Sequence, residues 1–173
     1  MAHRADILDL ARFAPSPGDG TRLDVDVDPG SFTYGDQRYE LPGGTAPARV
    51  DISRTAAGYA LRLRFEAEVR GPCTRCLEHA ELRVGVDARE VDQPGGDDDE
   101  LRSPYVDGDE LDLEAWSHDA LALAMPGKFL CRADCAGLCP VCGESLNDVD
   151  PARHRHETGL DPRFAKLREL KLD

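Results

Sequence analysis

Nowhere in the 173 residues do about 18 apolar side chains run together, so no membrane-spanning helix is expected. The opening MAHRADILDLARFAPSPGDG carries basic residues but no unbroken apolar stretch of signal-peptide length, and the expectation is a soluble, cytoplasmic protein without membrane partners. Positive charge is scarce: 21 Lys and Arg face 34 Asp and Glu, a formal net charge of −13. Phosphate recognition normally rests on a Lys/Arg-rich face and counterion release, so direct nucleic-acid binding by the body of the protein is disfavoured. Catalytic signatures are missing too. There is no glycine-rich phosphate loop, no GxSxG and no HExxH, and the acids keep no spacing that nominates a general acid and base. No internal repeat and no small-molecule site is evident. The length allows one ordinary domain and a small appendage, which excludes a large multidomain enzyme.

The charge that is present is unevenly placed. From Asp87 to Glu114 twelve acidic residues face two Arg, whereas from Pro151 to Asp173 six Lys or Arg face four acids. Such an acidic run reads either as a solvated loop or as a surface that attracts a basic partner, such as a ribosomal protein before it meets its RNA.

Residues 1–22 hold a short amphipathic piece, ADILDLARF, and a loop marked by Pro15, Pro17, Gly18 and Gly20. From 23 to 92 the period becomes two. In TRLDVDVDP, Leu23, Val25 and Val27 alternate with aspartates. After the loop LPGGTAPA, Val50 and Ile52 resume the alternation, and TAAGY makes a turn. YALRLRFEAEVRG puts Leu61, Leu63, Phe65, Ala67 and Val69 on one side and Arg62, Arg64, Glu66 and Glu68 on the other. Leu82, Val84, Val86 and Ala88 follow beyond GPCTRC. These strands predict an antiparallel meander with one buried face. Residues 93–110, including QPGGDDDE, read as an acidic loop. Residues 111–173 then read as a helix, a cysteine-rich metal lobe and a closing helix. In LDLEAWSHDALALAMP a stripe of Leu113, Trp116, Ala120 and Ala124 is widened by Leu121 and Leu123, Asp112 caps the start, and Pro126 and Gly127 stop it. Phe164, Leu167 and Leu170 recur at helical spacing in DPRFAKLRELKL. The expected class is α+β: an antiparallel β-meander body with a C-terminal helix-plus-zinc-knuckle lobe.

Cysteines are few, yet four of the six fall within CRADCAGLCPVC. In a reducing cytosol such crowding favours metal or redox chemistry over disulfides. In CPVCG, Pro140 stiffens a turn that Gly143 closes, so Cys139 and Cys142 can both reach one ion. The nearest completion is Cys131 and Cys135, giving one compact site of Cys131, Cys135, Cys139 and Cys142 for structural zinc. His154 and His156 in PARHRHE offer a second completion, against the plainer reading of a solvated basic loop. Cys73 and Cys76 in GPCTRCLEH supply half a site or a reduced pair that merely fits its turn. Together these are eight possible ligands, enough for two closed sites. Cys135, Cys139 and Cys142 also spell the CxxxCxxC of radical iron–sulfur enzymes, but the barrel and substrate pocket which that chemistry needs are not indicated. A metal with four protein ligands leaves no open coordination position, which points to a structural role.

In order, PCTRCLEHAELRV, LDLEAWSHDALALAMPGKFLCRADCAGLCPVCGESLN and DPRFAKLRELK resemble the YceD family of large ribosomal RNA subunit accumulation proteins, over roughly Arg49 to Leu172. The resemblance implies a non-enzymatic role in large-subunit ribosomal RNA accumulation or processing and in ribosome assembly. The partner it implies is a component of the large-subunit precursor, either RNA or a basic ribosomal protein. A metal-dependent, iron–sulfur redox or RNA-modifying enzyme is the rival reading. Many metal-type relatives carry CxC where this sequence has HRH at His154 to His156, and imidazole in place of thiolate keeps the capacity for zinc. Large apolar side chains are few between Pro126 and Leu160, so a structural zinc, contributing about 10 to 16 kcal/mol of coupled folding energy, would replace the missing core of that lobe.

Overall fold

Alternating apolar and charged side chains dictate strands, and the computed structural model places them in three antiparallel sheets. It describes residues 6–95, 101–150 and 154–156. The main sheet has four strands in the order β2-β5-β6-β7: β2 (Gly20–Val27), β5 (Ala46–Arg54), β6 (Tyr59–Pro72) and β7 (His79–Asp92). Its long hairpin pairs Tyr59 with Asp92 at one end and Pro72 with His79 at the other. Between β2 and β5 the chain inserts a small hairpin, β3 (Phe32–Tyr34) and β4 (Gln37–Tyr39), turned by Gly35 and Asp36, both at positive φ. Two consecutive left-handed residues form the turn type whose twist matches that of the flanking strands.

The inward face of the main sheet carries Val50, Ile52, Leu61, Leu63, Phe65 and Val69, all buried. The outward face is a lattice of ion pairs: Arg22 to Asp51 at 2.6 Å, Arg64 to the same carboxylate at 2.5 Å, Arg62 to Asp87 at 2.6 Å and Arg49 to Asp24 at 3.2 Å. These are cross-strand neighbours on a wet face, where such pairs contribute little individually. The Asp51 carboxyl is held below the usual carboxylate range by the Arg22 hydrogen bond, against partial burial and with help from Arg64. Its stabilising effect is therefore present above roughly pH 4, where the unfolded carboxylate is ionised, and is lost as pH falls through the lower folded value. Asp51→Asn should cost no more than about 1 kcal/mol in urea denaturation near neutrality, and the difference should shrink on acidification.

The helix α2 (Leu113–Ala124) begins where expected, with the Asp112 carboxylate accepting from the Ala115 N–H at 2.8 Å. It ends before Pro126, with Met125 extended as the residue preceding a proline prefers. It packs on β7 and touches β1 and β2. Leu113, Trp116, Ser117, Ala120 and Leu121 are buried. Leu123 does not widen the core stripe as expected: it lies just beyond the Trp116 edge of the buried arc and is 87% exposed.

The N-terminal amphipathic piece divides into a strand and one helical turn. β1 (Ile7–Asp9) pairs with β9 (Glu110–Asp112), which in turn pairs with β8 (Val106–Asp107), and α1 (Leu10–Phe13) follows with Asp9 as its cap. The stretch expected to be an acidic loop thus contains β8 and the start of β9. Leu8 lies opposite Leu111, and both are buried with Leu10 and Leu113 in the core, so this three-stranded sheet contributes an apolar face to it. The expected closing helix with Phe164, Leu167 and Leu170, and the acids Asp97, Asp98, Asp99 and Glu100, lie outside the described residues.

Candidate metal centres

At the tip of the β6–β7 hairpin the chain must turn between Pro72 and His79, and CTRCLE makes that turn as a knuckle. The Cys73 N–H donates to the Glu78 carbonyl at 2.7 Å, and the Leu77 N–H returns to the Cys73 carbonyl at 2.9 Å. The Arg75 N–H points at the Cys73 sulfur, 3.4 Å away. CPVCGE repeats the same geometry. Cys139 N–H donates to the Glu144 carbonyl at 2.8 Å, Gly143 N–H to the Cys139 carbonyl at 2.8 Å, and Val141 N–H lies 3.5 Å from the Cys139 sulfur. Both knuckles need positive φ after the second cysteine. Gly143 supplies it at 75° without penalty, while Leu77 adopts 62°, where a side chain costs about 1–2 kcal/mol. Leu77 is 57% exposed, so burial does not offset that cost, whereas coordination of the neighbouring sulfurs would.

The two knuckles take different partners. Cys73 and Cys76 meet Cys131 and Cys135, while Cys139 and Cys142 meet His154 and His156; within each group the ligand atoms lie within 4.8 Å of one another. The four cysteines expected to form one compact site are therefore divided between two clusters, each completed by residues that sequence spacing offered only as alternatives. In the first cluster the Cys73 and Cys135 sulfurs are 3.7 Å apart and those of Cys76 and Cys131 3.5 Å. Four thiolates at about 2.3 Å from a common ion would be roughly 3.8 Å from one another, so the cage has the right size for one tetrahedral ion.

Electrostatics point the same way. Burial pushes the Cys73 thiol up, but backbone N–H groups of Arg75, Cys131 and Cys76 outweigh it and bring the thiol down to about 6. Burial pushes Cys76 up, and burial together with the Cys76, Cys135 and Cys73 thiols drives Cys131 up to about 12. One negative charge is welcomed in this pocket and further ones repel it. A divalent cation removes that conflict, which is why a buried thiolate cluster suits a metal.

In the second cluster the His154 Nε2 lies 3.6 Å from the Cys142 sulfur and 3.0 Å from the His156 Nε2. The other His154 nitrogen, Nδ1, sits 3.2 Å from the Glu144 carboxylate. Such an outer carboxylate fixes the tautomer and leaves Nε2 free as a ligand. The hydrogen bond from His154, with the N–H groups of Cys142 and Val141, brings the Cys139 thiol down to about 6. Exposure separates the clusters: Cys73, Cys76 and Cys135 are buried, whereas Cys142 and His156 are exposed.

The first cluster also fastens two parts of the fold. The Thr74 N–H donates to the Phe129 carbonyl at 2.7 Å, and the buried Phe129 ring meets the buried Tyr39 ring edge-on, with centroids 4.9 Å apart. The segment after α2 is thereby docked on the hairpin tip. A sequence signal for the first knuckle existed: C-x-x-C-x-E occurs at Cys73–Glu78 and again at Cys139–Glu144, but the first copy lacks the glycine that makes the second conspicuous.

A family described as "Large ribosomal RNA subunit accumulation protein YceD" matches residues 61–171, which include both knuckles, α2 and all eight candidate ligands. The chain belongs to the YceD family. Among curated relatives, uncharacterized proteins of Mycobacterium tuberculosis H37Rv and Mycobacterium bovis are each 41% identical over 124 residues, covering 69% of this chain and 58% of theirs. One from Mycobacterium leprae is 45% identical over 65 residues, covering 38% of this chain and 28% of its own length. This YceD chain thus spans under two thirds of the curated relatives it matches. No solved structure matches it. Among the described residues, no helix is long and apolar enough to cross a membrane.

Proposed function

We propose that the protein is a non-enzymatic factor that supports accumulation and processing of large-subunit ribosomal RNA during ribosome assembly, with zinc held structurally in both clusters. Membership of the YceD family carries this reading, because the match spans the whole metal-bearing half of the chain. The donor sets support zinc. Cys₄ and Cys₂His₂ are its customary structural environments, and four protein ligands leave no position for substrate or activated water. The partner is a component of the large-subunit precursor in the cytoplasm. Its basic proteins suit this acidic surface better than its phosphates do, since the net charge is −13. Depletion should lower large-subunit ribosomal RNA relative to small-subunit RNA and reduce the large-subunit peak in sucrose gradients. Unchanged ratios and profiles would reject the role.

A further inference from the structure

Among the described residues strand β7 pairs with β6 alone, which makes it an edge of the main sheet. Beside it α2 leaves a groove of about 350 Å³, walled by Trp116, Ala120 and Leu123 of the helix and by the consecutive residues from Val86 to Glu90. Successive strand residues point to opposite faces, so a hollow that touches five in a row lies along the strand's edge, where backbone donors and acceptors are presented. At its rim stands Leu123, the most exposed large apolar side chain among the described residues at 87%. Edge strands are usually blunted by charged side chains, especially lysine, by proline or by a covering element. Between Val86 and Glu90 this edge carries Asp87, Arg89 and Glu90 but no lysine or proline, and the helix beside it leaves a trough.

We propose that this trough is a β-augmentation site that binds an extended, lysine- or arginine-rich peptide segment, which adds a strand to β7 and places an apolar side chain against Leu123, Ala120 and Trp116. Charge selects the occupant. Glu90 lines the trough and Asp119 lies near it on the Tyr105 hydroxyl at 3.0 Å, whereas Asp87 is already paired with Arg62 and Arg89 adds one positive charge; β7 leads directly into the acidic sequence that ends at Glu114. A second copy of this chain would bring two such runs together at net charge −13 each, and single-stranded RNA would meet the same repulsion. Main-chain pairing would supply affinity, and alternate side chains the selectivity. Assigning the segment to a ribosomal protein rests on the assembly reading above; the trough and its chemistry do not.

The test uses the full chain and a labelled peptide of alternating lysine and valine. A glutamate–valine counterpart and a proline-interrupted version serve as controls. The lysine peptide should bind in fluorescence anisotropy, more weakly as salt rises, and should slow amide hydrogen exchange in β7 between Val86 and Glu90, while neither control does so. Leu123→Ser, at an exposed site that should not disturb folding, should weaken binding roughly tenfold, as loss of one buried leucine contact implies. Glu90→Lys should weaken it further at low salt. Absence of β7 protection, an unchanged affinity in Leu123→Ser, equal binding of a single-stranded RNA oligonucleotide, or self-association through the same strand would each overturn the proposal. If the peptide fails while depletion still lowers large-subunit RNA, the trough inference falls and the assembly role stands. If the peptide binds while depletion changes nothing, the trough stands and its ribosomal assignment falls.

Discussion

Replacing Cys73 and Cys76 together with serine should reduce the bound metal from two ions per chain to one and destabilise the fold by on the order of 4 kcal/mol or more. The expected size follows from where the first cluster sits. It joins residues 55 and 62 positions apart in sequence, so coordination closes long loops that the unfolded chain holds open. Its sulfurs are mostly buried in the core that also holds Phe129 and Tyr39, and losing the ion leaves thiols that repel additional charge there. Replacing Cys139 and Cys142 should also remove one ion, but with a smaller fall in thermal midpoint, because that cluster binds only residues 139 to 156 and half of it faces solvent. Elemental analysis of single variants checks the grouping. Cys76→Ser and Cys131→Ser should lose the same ion, and Cys139→Ser and His154→Ala the other. If Cys131→Ser and Cys139→Ser instead deplete one common ion, the single four-cysteine site read from spacing is right and the two-cluster arrangement is wrong. A chelator should strip the exposed cluster first.

Where one face of an element is buried along its whole length, the sequence announces it. The two-residue period of YALRLRFEAEVRG and of Leu82 to Ala88 becomes the β6–β7 hairpin, and the stripe from Leu113 to Ala120 becomes α2 with its Asp112 cap. Elements of two or three residues carry no period. Strands β1, β8 and β9 therefore passed for an amphipathic piece and a loop, although Leu8 and Leu111 owe their burial to that pairing. The β3–β4 hairpin left a usable sign, a Gly–Asp pair between FTY and QRY, which is turn chemistry rather than periodicity. The candidate metal ligands were all visible as residues, but the grouping the structure gives them was not. Spacing reports only what neighbours in sequence can reach, and it favoured Cys131 and Cys135 as completions of the CPVCG knuckle. The sheet brings Cys131 and Cys135 to other neighbours, because the β6–β7 hairpin carries Cys73 and Cys76 to the place where the chain leaving α2 arrives.

Gly71→Ala should be strongly damaging for a change of one methyl group, and its effect should reach the metal. A Cβ at position 71 would fall 2.2 Å from Cδ1 and 2.6 Å from Cε1 of Tyr39. That ring has nowhere to retreat: it is 1% exposed, its hydroxyl donates to the Pro72 carbonyl at 3.2 Å, and Phe129 and Phe32 pack on it. Overpacking of this kind costs about 1–3 kcal/mol even where neighbours yield. Here the yielding neighbour is Phe129, whose carbonyl accepts from Thr74 inside the first knuckle. Displacing Tyr39 therefore pulls on the turn that aims Cys73 and Cys76. The expected result is a lower thermal midpoint together with faster loss of one ion, that of the first cluster, to a competing chelator, while the second cluster keeps its own. Shrinking the obstructing ring by Tyr39→Leu should restore part of both in the Gly71→Ala background. A fall in stability with unchanged metal retention at the first cluster would instead mean that the hairpin tip holds its cysteines independently of the aromatic contact beneath them.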